Sequence, residues 1–178
     1  PLDDMASYFA YCEWSWPGES IRTENDPECP HVSFRMLKCP WHTAWRESGL
    51  EDFGVYYCRC VDRAILRGFN PAFRLSLPSC LPQNPDAGCA FHWESAENAP
   101  ALTERQQRIQ RRLQGAQVKD FLYHTAHLYR TLLHCARRQD PQAAALVEAQ
   151  AGRDFARRFG EEALRQVQEA AKADFSAI

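Results

Sequence analysis

The chain has 178 residues, 45% of them hydrophobic and 25% charged, with a formal net charge of -2. That length can bury a full core, and the charge balance excludes a general electrostatic pull toward nucleic acid. No apolar run approaches the ~20 residues of a membrane-crossing helix.

In chain order, residues 5–16 read as a short amphipathic helix. Residues 31–38 alternate apolar and polar side chains, as a half-buried strand does, and Cys39-Pro40 ends them. A short helix follows over 43–49, stopped by Gly49. Residues 52–69 read as a longer helix whose apolar stripe is Phe53, Tyr56, Cys60 and Ala64. Phe69-Asn70-Pro71 breaks it. Residues 73–77 alternate again, 78–88 form a Pro-rich loop of the kind that borders active sites, and 89–93 make a short strand. Composition then changes over 94–100, from Pro, Trp and Cys to Ala, Gln, Arg and Glu.

The remainder is helical. Thr103 and Gln106 have capping-box spacing, and Ile109, Leu113, Val118, Leu122, Tyr129 and Leu133 carry an apolar stripe. Asp140-Pro141 is a helix restart, with an N-cap followed by Pro at the first helical position. Leu146, Phe155, Phe159, Leu164 and Val167 carry the next stripe, with Gly152 and Gly160 as candidate breaks. These readings give a single α+β domain, with a small antiparallel sheet packed against several helices and a long helical C-terminal half. Residues 1–93 carry the site, 94–100 connect, and 101–178 are helical.

The chemistry is concentrated before the composition change. Of eight cysteines, Cys39, Cys58, Cys60, Cys80 and Cys89 lie in this stretch. Cys80 falls in the loop, and Cys12, Cys29 and Cys135 lie outside. Their irregular spacing, with Cys135 deep in a helical stretch, favours reduced thiols and a cytoplasmic location over a disulfide scaffold. Cys58-x-Cys60 is tighter than a zinc knuckle and no second pair accompanies it. A metal held by Cys39, Cys58, Cys60, Cys89 and His92 is conceivable only through the fold.

A nucleophilic thiol needs a base, a cation or a helix N-terminus nearby. Cys89 has His92 three residues on, Cys39 has His42, and Cys60 has Asp62 and Arg63. In a strand Cys89 and His92 fall on opposite sides; at a helix start they would meet. Asp62 reads either as a general acid/base or as half of a surface salt bridge with Arg59 or another nearby Arg in a helix turn. Glu13, between Cys12 and Trp14, is a carboxylate in an apolar setting, where burial raises a pKa. His124 and His127 lack the Glu of a zinc-protease motif. Trp14, Trp16, Trp41, Trp45 and Trp93 read as core. Nearly all positive charge is Arg, with Lys only at 38, 119 and 172, and Arg binds carboxylates bidentately.

Lys38-Cys39-Pro40, Tyr57-Cys58-Arg59-Cys60-Val61-Asp62, Gly68-Phe69-Asn70-Pro71 and Gly88-Cys89-Ala90-Phe91, in this order, resemble the L-2-amino-thiazoline-4-carboxylic acid hydrolase family over residues 31–93. The resemblance carries over to Cys39, Asp62, Cys89 and Phe91, and leaves open which of Cys58 and Cys60 matches. It also implies helices like those of 121–170 ahead of the cysteine-bearing part. Here they follow it, as in a permuted chain.

The resemblance implies hydrolytic opening of a small cyclic amidine at a C=N carbon bearing sulfur. Cys89 or Cys60 is then the expected nucleophile, Asp62 the acid/base and His92 a helper, with Cys39 in the same pocket. Arg59, Arg63 or Arg74 is expected to bind the substrate carboxylate, with Phe91 and Glu13 lining the site. No cofactor is expected, although a divalent metal fits the residue types. The expected partner is a small molecule, with neither nucleic acid nor membrane, and self-assembly is compatible. A cysteine-based metal or redox sensor and a helical interaction module are the alternatives.

Overall fold

A computed structural model describes residues 4–15, 19–25, 32–94 and 99–175. It divides into two compact units, Pro1–Val118 and Lys119–Ile178. The division therefore falls after Val118 and not at the composition change over 94–100, most of which lies outside the described residues. So do Trp16, Cys29 and His31. No described helix is long and apolar enough to cross a membrane.

The first unit is α+β. Its antiparallel sheet has the order β1-β2-β4-β3, formed by β1 (Arg22–Asn25), β2 (Val32–Lys38), β3 (Arg74–Ser76) and β4 (Cys89–Glu94). Strand β1 escaped the sequence reading because its four residues are polar and all exposed, so no period-2 burial pattern marks it. Charged side chains on such an edge discourage further strand pairing. Central β4 buries Cys89, Phe91 and Trp93 on one face and turns Ala90, His92 and Glu94 to the other. Gly88 starts it with φ +70°, and a Cβ there would stand 2.7 Å from the Met36 carbonyl oxygen. Only glycine accepts both conditions without strain.

Helix α1 (Met5–Ala10) is capped by Asp4 and buries Met5, Ala6, Ser7 and Ala10. It is shorter than the expected 5–16. It packs against α4 (Ala99–Leu113), and Arg105 of α4 pairs with Asp4. This contact ties α4 to the first unit. Helix α4 begins four residues before the capping-box Thr103. Its end is set by Gln114 and Gly115, both at positive φ, a break the apolar stripe did not reveal.

Helices α2 (Pro40–Glu47) and α3 (Glu51–Phe69) carry the site. Proline occupies the first turn of α2, where its missing N–H costs nothing. The two helices approach closely at Gly54, where a Cβ would lie 2.3 Å from a Trp45 ring carbon. Around this junction Trp14, Trp41, Trp45 and Tyr57 form an aromatic cluster with centroids 5.4–6.4 Å apart. The core beneath is Met5, Cys39, Leu66, Cys80, Cys89, Phe91 and Trp93 with their neighbours.

The expected stripe of α3 is on the wrong side. Phe53 is 70% exposed and Tyr56 74%, and Cys60 and Ala64 are exposed as well. The inward face carries Gly54, Cys58, Asp62 and Leu66, spaced four residues apart. Glycine, thiol and carboxylate are weak apolar markers, which is why the hydrophobic pattern chose the other face.

The second unit packs α5 (Phe121–Gln139), α6 (Pro141–Phe159) and α7 (Glu161–Ala170) against one another. Asp120 caps α5, and Asp140 caps α6 through the Gln142 and Ala143 N–H groups. Gly160 ends α6 at φ +93°. Gly152 does not break it; it is buried within α6 against Leu164.

Candidate active site

Four thiols and one carboxylate meet inside the first unit. Cys39, at the N-cap of α2, is buried. Cys58 and Asp62 project from the inner face of α3. Cys80 and Cys89 are 2% and 5% exposed, in the loop before β4 and at its first residue. The Cys89 sulfur accepts a hydrogen bond from the Leu81 N–H at 3.2 Å. Cys39, Cys80 and Cys89 are close enough to Cys58 for their charges to disfavour its ionisation, and Asp62 acts on Cys39, Cys58 and Cys89 in the same way.

Burial is the main force on Cys39, Cys58, Cys89 and Asp62. It pushes the Cys89 thiol up to about 12, against the Leu81 N–H that favours the thiolate. It also raises Cys58, on which the neighbouring thiols and Asp62 act in the same direction. Cys39 is raised by burial too, but the His42 and Trp41 N–H groups at the start of α2 oppose the rise, as a helix N-terminus does for a thiolate.

Desolvation lifts Asp62 to about 6, with only its own backbone N–H opposing. The alternative of a salt bridge with Arg59 is not realised. Arg59 instead donates to Gln83 Oε1 at 2.9 Å, and Arg63 reaches the Leu77 and Arg59 carbonyls. Tyr8 and Tyr57 border the carboxylate. Burial first, and then the Asp62 charge, push each phenol up to about 12.

Alongside lies a polar pocket of about 300 Å³, walled by Arg59, Arg63, Leu77, Pro78, Ser79, Cys80 and Gln83. Cys80 belongs to both this wall and the thiol cluster. On α3, the guanidinium pair Arg59/Arg63 follows the Cys58/Asp62 pair one residue on, so a cationic rim adjoins an acidic and thiol-lined interior.

The remaining expected site residues are distributed differently. Cys60 is exposed on the outer face of α3, so Cys58, not Cys60, joins the cluster. His92 lies on the face of β4 opposite Cys89, hydrogen-bonded through Nδ1 to Ser33 Oγ at 2.8 Å. The strand alternation separates it from the thiols. Arg74 sits on edge strand β3 with its guanidinium on the Pro71 and Phe73 carbonyls. Phe91 shares the Cys89 face but is packed in the core, stacked on Trp93 at 5.2 Å and close to Phe34. Half-buried Glu13 adjoins Trp14, which meets Trp41 edge-on. Among the described residues no group of three or more His, Cys, Asp or Glu side chains is arranged to hold a metal ion.

Sequence reasoning left Cys58 open against Cys60, set Cys80 aside as a loop residue, and did not single out Tyr8, Tyr57 or Gln83. For Cys58 a signal was present: Gly54, Cys58, Asp62 and Leu66 follow an i, i+4 row, and a row holding a helix-interior Gly points to close packing.

Neither the curated proteins nor the solved structures gave a match. The family model for L-2-amino-thiazoline-4-carboxylic acid hydrolase matches residues 3–93, just over half of the chain. That span holds α1, the sheet except for Glu94 at the end of β4, α2, α3 and every member of the thiol and carboxylate cluster. The chain belongs to the L-2-amino-thiazoline-4-carboxylic acid hydrolase family.

Proposed function

We propose that this protein hydrolyses a small, carboxylate-bearing cyclic amidine, opening its ring at the C=N carbon. The observation that carries the reading is Asp62: a desolvated carboxylate without an ion pair among the described residues, raised to about 6, beside several buried thiols. A carboxyl group with that pKa exchanges protons near neutral pH, as general acid/base catalysis requires. A cationic amidine would supply the counter-charge that Asp62 lacks. Arg59 and Arg63 would take the carboxylate at the other end of a zwitterion.

In the proposed reaction the Cys39 sulfur adds to the C=N carbon while its proton passes to Asp62. The electron pair of the C=N bond moves to the ring nitrogen, which Asp62 protonates. The exocyclic amino nitrogen then re-forms a C=N bond as the ring C–S bond breaks, and the ring sulfur leaves as a thiol with the proton that Asp62 carries to it from that nitrogen. Water adds to the same carbon and the Cys39 sulfur leaves with one of the water protons, so the thiol is restored and one water is consumed overall. Cys39 is favoured over Cys58 and Cys89 because α2 presents two N–H groups to its developing negative charge.

The test is incubation of the purified chain with L-2-amino-thiazoline-4-carboxylate, following by mass spectrometry a product heavier by one water. Asp62→Asn should lower turnover by about 10² or more, and Cys39→Ser should do likewise. Full activity in Asp62→Asn would sink the acid/base assignment. Unchanged turnover in Cys39→Ser, Cys58→Ser and Cys89→Ser alike would remove the thiol step and leave water as the attacking group.

A further inference from the structure

Helix α3 has two opposite faces, and the hydrolase reading uses only one. The outer face is centred on Cys60 and carries Phe53, Tyr56, Ala64 and Arg67 at i, i+3, i+7, i+11 and i+14 spacing. Phe53 and Tyr56 are 70% and 74% exposed. Two adjacent aromatics left this open form an apolar patch of the kind that marks an interaction surface.

The order of residues along the face selects the occupant. Reversing the helix about Cys60 brings Phe53 opposite Arg67 and Tyr56 opposite Ala64. A guanidinium then covers an aromatic ring, and a large side chain meets a small one. Asp52, beside Phe53, comes next to the same arginine. Neither Asp52 nor Arg67 has an ion pair among the described residues. A parallel pairing would set Arg67 on Arg67 and Phe53 on Phe53. The pattern is thus self-complementary under a two-fold axis, as an isologous interface must be.

We infer that the outer face of α3 binds a second copy of this chain, antiparallel, with Cys60 on the two-fold axis. This inference goes beyond the hydrolase reading and does not depend on it. A 19-residue helix is about 28 Å long, and one helix pair covers less than the roughly 800 Å² per partner of a standard interface. The dimer accordingly dissociates on dilution. Helix axes about 8–10 Å apart bring the two Cys60 thiols within reach of a short cross-linker.

The experiment uses the full chain with Cys12, Cys29 and Cys135 replaced by Ser. Its mass is followed by light scattering against concentration, and it is treated with a short bismaleimide. A concentration-dependent dimer is expected, cross-linked only while Cys60 is present. Phe53→Glu with Tyr56→Glu should give a monomer of unchanged circular dichroism. Asp52→Arg and Arg67→Asp should each weaken association by about tenfold or more, a loss of roughly 1.4 kcal/mol, and the double reversal should restore it. A monomer at every concentration would overturn the inference. So would a dimer that persists in the Phe53/Tyr56 variant, or one that does not cross-link through Cys60.

Discussion

Replacing Asp62 by Asn removes a charge while keeping the size and polarity of the side chain, and its effect on stability follows from the site. The carboxyl rises from an ordinary 3.8 to about 6 through desolvation. At 1.36 kcal/mol per pKa unit, keeping it ionised in the folded protein costs about 2–3 kcal/mol. The sign follows from proton counting. Between pH 4 and 6 the folded state holds the Asp62 proton more tightly than the unfolded state, so this group's contribution falls as pH rises. Below pH 4 both states are protonated and the penalty vanishes; above pH 7 it is complete. The Asn variant should therefore match the wild type near pH 4 and exceed it by about 2–3 kcal/mol at pH 7.5. Urea titrations read by tryptophan fluorescence suit the test, because all five tryptophans lie in the first unit. Parallel stability profiles for the two proteins between pH 4 and 7.5 would refute the picture of a desolvated, unpaired carboxylate. So would an Asn variant less stable than the wild type at pH 7.5.

Other outcomes follow from the same packing. Gly54→Ala drives a Cβ into the Trp45 ring, and should cost about 1–3 kcal/mol in the same titration even though Ala is the better helix former. With a thiol-reactive dye at pH 7.5, Cys12, Cys60 and Cys135 should label quickly, whereas the buried Cys39, Cys80 and Cys89 should label more slowly and to completion only on unfolding. Peptide mapping of the labelled protein distinguishes the two sets. Asp140→Ala removes the cap on the Gln142 and Ala143 N–H groups and should destabilise the second unit by about 1 kcal/mol, read as a loss of helical circular dichroism at lower urea.

The sequence alone determined the α+β class, the approximate position of most elements, the restart at Asp140-Pro141 and the stretch that carries the chemistry. These are local properties: alternation, capping residues, Pro and Gly acting on their own neighbours, and cysteine density. It also supplied the family, because motif order is written in the chain. Tertiary structure decided which side of each element looks inward. Helix α3 offered an aromatic stripe and a glycine, thiol and carboxylate row, and packing of Gly54 on Trp45 chose the second. That choice turned Cys58 and Asp62 toward the core and left Cys60 outside. Strand alternation in β4 parted His92 from Cys89, while the loop before β4 folded back to bring Cys80 near Cys89 and Cys58. The high pKa of Asp62 is tertiary too, since it arises from the surfaces that close over the carboxylate, with no ion-pair partner for it among the described residues.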